Sequence, residues 1–262
     1  MSALLKLNAV TKRYGGLVAV NNLSFEVGAG QITSLIGPNG AGKTTVINLI
    51  TGVQPLSSGG VVLAGQEISR LKPDARVLRG MTRSYQTPQM IRGLSALENV
   101  EVGADMKERM GFVSALARPW RIPAANARAR AAAKTALLRA GLEERLWEND
   151  ASALSYGDQR KVELARALTH EPKLILLDEP AAGLNPRETQ ELGKYLRGLA
   201  DEGIGILLVE HDMPLVMSIS DHIVVVCFGT KIAEGDPAAI QNDPEVIAAY
   251  LGSSETEEAI HG

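Results

Sequence analysis

The sequence predicts an α/β protein whose mainly parallel sheet carries its functional groups at the C-terminal ends of the strands. Three observations predict it. Short apolar runs alternate with helical segments near both ends of the chain, and several of those runs end in glycine or in charged residues. An alanine- and leucine-rich stretch without β-branched clusters interrupts the alternation from about Leu94. With 262 residues, 45% of them hydrophobic, the chain can bury one large core or the cores of two intimate subdomains.

Taken in order, LLKLNAV (4–10), LVAVNNLSFEV (17–27) and QITSLIG (31–37) read as strands, the last one following a turn at Gly28–Gly30. GPNGAGKTT (37–45) leaves the third strand and opens a helix that Gly52 closes. SSGGVVLAGQEI adds a turn and a strand, so an antiparallel β-layer feeds the α/β core. ALENVEVGADMKERM (96–110) and NARARAAAKTALLRAGLEERL (126–146) have helical spacing, and RPWRIP (118–123), with two prolines, reads as a loop between them. Between Lys107 and Arg139 the only acid is Glu108. This basic stretch suits a solvated helical face, or contact with another subunit or with lipid headgroups.

LSYGDQRKVELARAL (154–168) opens a further helix at a serine, and then the alternation resumes. PKLILLDEP is an apolar strand ending in two acids, followed by a helix from Pro186 to the stop at Gly203. GIGILLVEH is a second apolar strand, DMPLVMSIS a helix, and HIVVVCFGTKIAEGD a hairpin about Gly229–Thr230. The polar, acidic SSETEEAIHG (253–262) reads as a frayed tail.

The bulk numbers narrow the function. A net charge of −3 gives no basic surface for nucleic acid, so no nucleic-acid partner is expected. The single cysteine, Cys227, excludes an internal disulfide and reads as a buried thiol. No secretory signal and no apolar run of roughly 18 to 20 residues is evident. The chain is expected in the cytoplasm, and work at a membrane would require a partner to hold it there.

GPNGAGKTT matches the phosphate-loop pattern in full, with Gly37, Gly42, Lys43 and Thr44 in the fixed places. Its glycines let backbone N–H groups fold around phosphates, Lys43 reaches the outer phosphates, and the Thr44 hydroxyl suits Mg²⁺. Asp178, ending its strand, suits Mg²⁺ as well, and Glu179 has the chemistry of a general base. His211 follows the strand expected beside that of Asp178, which would turn its imidazole toward a γ-phosphate. Gln86, after a short strand, would bring a neutral amide near the metal. ATP and Mg²⁺ are the cofactors expected.

GPNGAGKTT, Gln86, LSYGDQ, LILLDEP and His211, in that order, make the chain resemble the ATP-binding-cassette ATPases from about Leu4 to Leu251. The resemblance implies a P-loop NTPase with a RecA-like core (1–93 and 172–252), an inserted helical subdomain at about 94–171, and a polar tail. It also implies that Tyr14 stacks on adenine and that Pro38, Asn39, Gly40, Ala41 and Thr45 complete the phosphate cradle. Gln86 would link nucleotide to membrane-spanning subunits. Ser155 and Gly157 of LSYGDQ would cap the ATP held by a second cassette, so that hydrolysis needs a dimer.

Two departures stand out. Tyr156 and Asp158 replace Gly and Gln of the usual LSGGQ, and Asp158 would repel a triphosphate unless it points away or meets a cation. Asn185 in AAGLNP replaces the usual aspartate. With DEPAAGLNP, EHDM and a closing AAYLG, these features make the chain similar to LivG-type ATPases of branched-chain amino-acid importers. The expected partners are a second cassette, permease subunits and, indirectly, a substrate-binding protein, with the chain peripheral on the cytoplasmic face of the membrane. Urea or another amide or amino acid stands as the alternative cargo. A cassette protein outside transport is the rival from another class.

Overall fold

The structure is a computed structural model that describes residues 3–84, 87–108 and 122–250. It contains β1 (Ala3–Tyr14), β2 (Leu17–Gly28), β3 (Ile32–Ile36), β4 (Ser58–Leu63), β5 (Gln66–Glu67), β6 (Met81–Arg83), β7 (Leu174–Asp178), β8 (Gly205–Val209), β9 (His222–Cys227) and β10 (Thr230–Gly235). The helices are α1 (Lys43–Thr51), α2 (Pro73–Val77), α3 (Ala96–Glu108), α4 (Ile122–Arg139), α5 (Tyr156–Leu168), α6 (Pro186–Asp201), α7 (Met213–Ile219) and α8 (Pro237–Gln241). The described residues fall into two compact units. One comprises those of Met1–Arg83, Lys173–Ala181 and Thr189–Gly262, the other those of Ser84–Pro172 and Ala182–Glu188.

The first unit holds two sheets. An antiparallel sheet runs β2-β1-β4-β5, and a six-stranded sheet runs β10-β9-β3-β8-β7-β6, parallel except for the β9–β10 hairpin. Because side chains alternate along a strand, β9 splits its apolar residues between two cores. Val224 and Val226 join Leu35, Leu176 and Leu207 against the antiparallel sheet and α1. Ile223 and Val225 join Ile36, Val216 of α7 and Ile240 of α8 on the opposite face. Covered on both faces, β3, β7 and β8 are buried at every position, and β7 and β8 read as near-continuous apolar runs.

The hairpin turns at Phe228–Gly229, one residue earlier than its sequence suggests, and Cys227 is only half-buried. Phe228 and Gly229 both have positive φ, 45° and 76°, the pattern of a two-residue turn that favours Asn-Gly. Phe228 is 89% exposed, so little burial offsets the strain. Phe228→Asn is therefore expected to stabilise the protein by about 1 kcal/mol, read as a higher midpoint in thermal unfolding.

The second unit is helical. Ser95 and Glu98 form a reciprocal box at the start of α3, Glu98 N donating to Ser95 Oγ and Ser95 N to Glu98 Oε2. Buried Asn99 accepts from Ile91 N through Oδ1 and donates to Ser95 O, which pins the chain leading into the helix. Gly103 marks the close approach of α3 to α5: an added Cβ would lie 2.8 Å from Arg166 Cγ and 2.9 Å from Thr169 Oγ1. Ile122 and Pro123, expected in a loop, already belong to the first turn of α4, where proline has no intrahelical N–H to lose. The rest of that expected loop and residues 109–121 of the basic stretch lie outside the described residues, as does the 253–262 tail. Further along, Arg130 pairs with Glu101 and Glu148. No helix among the described residues is long and apolar enough to cross a membrane.

A candidate nucleotide site at the strand ends

Register aligns the C-terminal ends of the parallel strands. Leu35 of β3 pairs with Val209 of β8, and Val209 with Asp178 of β7. One or two residues further along each chain come Gly37, His211 and Glu179, so three segments far apart in sequence emerge at one sheet edge.

The loop at 37–42 leaves that edge and turns into α1. Gly37 and Gly42 have positive φ, and neither site has room for a side chain. A Cβ would lie 2.0 Å from Val226 O at Gly37 and 2.6 Å from Ala19 O at Gly42. The α1 N-terminus has no side-chain cap and no acid in its first turn. Its N–H groups and positive dipole end are therefore left for an anion. Lys43 is buried and donates to Gly37 O (2.6 Å) and Pro38 O (3.0 Å) of its own loop. Burial pulls its proton affinity down, while Glu179 and Asp178 push it back up. Thr44 is exposed at the head of α1, Thr45 is half-buried, and Ala41 is buried below the exposed Asn39 and Gly40. The hairpin braces the loop through Gly229 N donating to Ala41 O. Tyr250 from the closing AAYLG is pushed up to about 12 by burial, with the Gly37 backbone acting against that shift.

At the end of β7, buried Asp178 pairs with Arg83, whose Nη2 stands 3.0 Å from Oδ2. Burial raises the Asp178 proton affinity and the Arg83 guanidinium lowers it. Glu179 adopts a left-handed backbone, φ 49°, rare for a residue with a side chain, and its N–H donates to Val209 O. His211 is 63% exposed, with Nδ1 3.9 Å from both Glu179 Oε2 and Glu210 Oε2.

Glu210, which the sequence reading passed over, ties these segments together. Its buried carboxylate accepts from Ala181 N (2.7 Å) and His211 N (3.0 Å), joining the chain after Glu179 to the chain carrying His211. Glu210→Gln puts an amide NH₂ where one backbone N–H needs an acceptor. It should cost about 1–3 kcal/mol, measurable by urea unfolding. Arg76 was missed too: fully buried, it donates to Leu49 O and Ile50 O at the end of α1 and so caps the helix that carries Lys43. Adjacency to His211 was a faint signal for Glu210; Arg76 and Arg83 left none.

Tyr14, at the end of β1, is 44% exposed; its hydroxyl donates to Gln54 Oε1, and Lys12 Nζ lies 4.9 Å from the ring centre. Gln86 lies outside the described residues. In the second unit, Ser155 caps α5, its hydroxyl accepting from Asp158 N and donating to Asp158 Oδ2. Lys161 Nζ sits 3.2 Å from Asp158 Oδ1 and supplies the cation this departure from the usual signature calls for. Gly157 lies against Glu188, whose Oε1 would be 2.9 Å from an added Cβ. Asn185 Oδ1 accepts from Glu188 N and Glu188 Oε2 from Asn185 N, a helix-start box that an amide closes as well as a carboxylate.

This donor set fits a nucleoside triphosphate with Mg²⁺. The loop offers N–H groups and a lysine, while Thr44 and Asp178 offer a hydroxyl and a carboxylate. Among the described residues no cluster of three or more His, Cys, Asp or Glu is arranged to hold a metal ion. Mg²⁺ needs none, since it takes one or two protein ligands and completes its shell with phosphates and water.

Fold and loop together define a nucleotide-binding protein of the P-loop class. Residues 20–182 match the ABC transporter family, and residues 230–256 match a second family described as branched-chain amino acid ATP-binding cassette transporter. The chain belongs to the ABC transporter family, as one of its ATP-binding cassettes. It is 43% identical over 252 residues to the high-affinity branched-chain amino acid transport ATP-binding protein LivG of Escherichia coli K12, covering 96% of this chain and 98% of that one. Among solved structures, a nucleotide-free ATP-binding cassette from an ABC transporter superposes with a TM-score of 0.83 at 31% identity, covering 95% of this chain and 99% of that one. A dimeric cassette in a post-hydrolysis state, bound to ADP and Pi, gives a TM-score of 0.75 at 27% identity, covering 89% and 98%.

Proposed function

We propose that this chain is the ATP-hydrolysing subunit of an importer for branched-chain amino acids, working as one of two cassettes on separate permease subunits at the cytoplasmic face of the membrane. The observation that carries the reading is the end-to-end likeness to LivG together with the separate C-terminal match to branched-chain amino-acid cassettes. A substrate-binding protein on the far side would deliver the cargo. The cassette itself comprises 1–252, with the helical subdomain at about 94–171 inserted into the RecA-like core.

In this reading Tyr14 stacks on adenine, and Gly37, Pro38, Asn39, Gly40, Ala41, Gly42 and Thr45 wrap the phosphates. Lys43 leaves the loop carbonyls it now holds and turns to the outer phosphates. Thr44 and Asp178, joined by Gln86, would hold Mg²⁺, which when bound would supply positive charge beside the phosphates. Glu179 takes the proton of the attacking water, and His211 faces the γ-phosphate. Ser155 and Gly157 cap the nucleotide of the second cassette, as the dimer of a related cassette makes reasonable. To do so the Ser155 hydroxyl must swing off Asp158.

Affinity capture of the chain from its native membranes, with partners identified and ATPase measured, tests the proposal. Two permease subunits, a second cassette and a leucine-binding protein are the expected catch. A urea-binding component would change the cargo. A catch without membrane proteins would overturn the importer.

A further inference from the structure

We propose that Arg83 is a positioning residue for the metal: it ties the carboxylate of Asp178 to α1 and so fixes the distance between the two elements that supply metal ligands. The inference rests on Thr44 and Asp178 holding Mg²⁺, as read above. Arg83 ends β6, the short strand at the sheet edge, beside β7 in register with Leu176. Its guanidinium reaches in two directions. Nη2 donates to Asp178 Oδ2 (3.0 Å) and Nη1 to Asn48 Oδ1 (2.6 Å).

Asn48 is the telling partner. It lies four residues after Thr44 on α1, and side chains four apart on a helix share one face, one turn apart. The guanidinium therefore links the Thr44 face of α1, through Asn48, to the C-terminal end of β7. It holds Asp178 by one oxygen, Oδ2, which leaves Oδ1 for the metal or a metal-bound water. A planar fork with donors in two directions can do this; a lysine ammonium offers the charge without the fixed span. Both ends are shielded from water, with the Arg83 side chain 13% exposed and that of Asp178 8%. Thr82 and Ser84, the residues on either side of Arg83, are also buried. Residues that orient a metal-bearing carboxylate commonly set metal affinity 10–100-fold.

An opposing effect acts at the same place. A guanidinium beside Asp178 repels a dication, so if charge alone mattered, removing Arg83 would tighten metal binding. The two effects have opposite signs, and Asn48 separates them because its loss breaks the tie while keeping the charge.

The experiment measures ATP affinity of the full chain with a fluorescent analogue, in EDTA and across a Mg²⁺ titration. Mn²⁺ affinity is followed by electron paramagnetic resonance with a non-hydrolysable ATP analogue. Arg83→Gln should need roughly 10–100 times more Mg²⁺ while its affinity in EDTA stays near parental and its unfolding, at a lowered midpoint, stays cooperative. Asn48→Ala should shift in the same direction by less, and Arg83→Lys should recover only part of the loss. Tighter metal binding in Arg83→Gln with Asn48→Ala unchanged would overturn the proposal in favour of simple charge. Unchanged Mg²⁺ dependence in both would overturn it outright, as would equal losses with and without metal. Parental ATP binding that ignores Mg²⁺ would instead bring down the metal reading itself, and the inference with it.

Discussion

Glu179→Gln is expected to retain parental ATP affinity while turnover falls roughly 10²–10⁴-fold, the scale for losing a general base, the role proposed for Glu179. Glutamine keeps the length and shape of the side chain but cannot take a proton from water. The backbone is set independently of the carboxylate: the left-handed turn at Glu179 is held by its own N–H to Val209 O. A residue held in that region costs about 1–3 kcal/mol, and such strain gathers where a side chain must be aimed. Here it brings Oε2 to 3.9 Å from His211 Nδ1. Phosphate release, measured beside nucleotide binding, checks the expectation. Parental turnover in the variant would remove Glu179 from the chemistry.

The second large effect is on stability and lies in the helical unit. In α5, Arg160 and Glu163 are 2% and 4% exposed, with Nη1 2.6 Å from Oε2, and the guanidinium stands 5.8 Å from the Tyr156 ring centre. Removing one partner of a buried pair leaves the other charge desolvated without its counter-ion, at a cost of about 3–5 kcal/mol. Glu163→Leu should lose that much, shifting the urea midpoint down by roughly 1–3 M. Arg160→Met combined with Glu163→Leu should recover most of the loss, because both members of the pair are then removed together. A double variant as unstable as the single one would show that packing around α5, not charge, sets the cost.

The glycines of the phosphate loop, the β-branched strands and the acids ending β7 could be read directly, because each is a local requirement met by neighbouring residues. Gly37 and Gly42 had to be glycine for reasons a motif records, and the structure adds the carbonyls, Val226 O and Ala19 O, that forbid anything larger. The helix that Gly52 closes ends there, and the strand of His211 lies beside that of Asp178, as the alternation of apolar runs and helices implied. The turn at Phe228–Gly229 was misplaced by one residue, because an aromatic is a poor advertisement for a left-handed position. The puzzling Asp158 and Asn185 resolved into pairings three residues away, with Lys161 and Glu188, that helical spacing permits but does not announce.

The sequence by itself therefore determined the fold class, the family and the place of the phosphate-loop motif, since periodicity, turn chemistry and a contiguous motif are short-range. Only the tertiary structure decided that Arg83 meets Asn48 and Asp178, 35 and 95 residues away. It alone decided that Glu210 holds two loops and that Arg76 caps α1. Those contacts depend on strand order and register, and a side chain that reaches across a sheet leaves no pattern at either end of its reach.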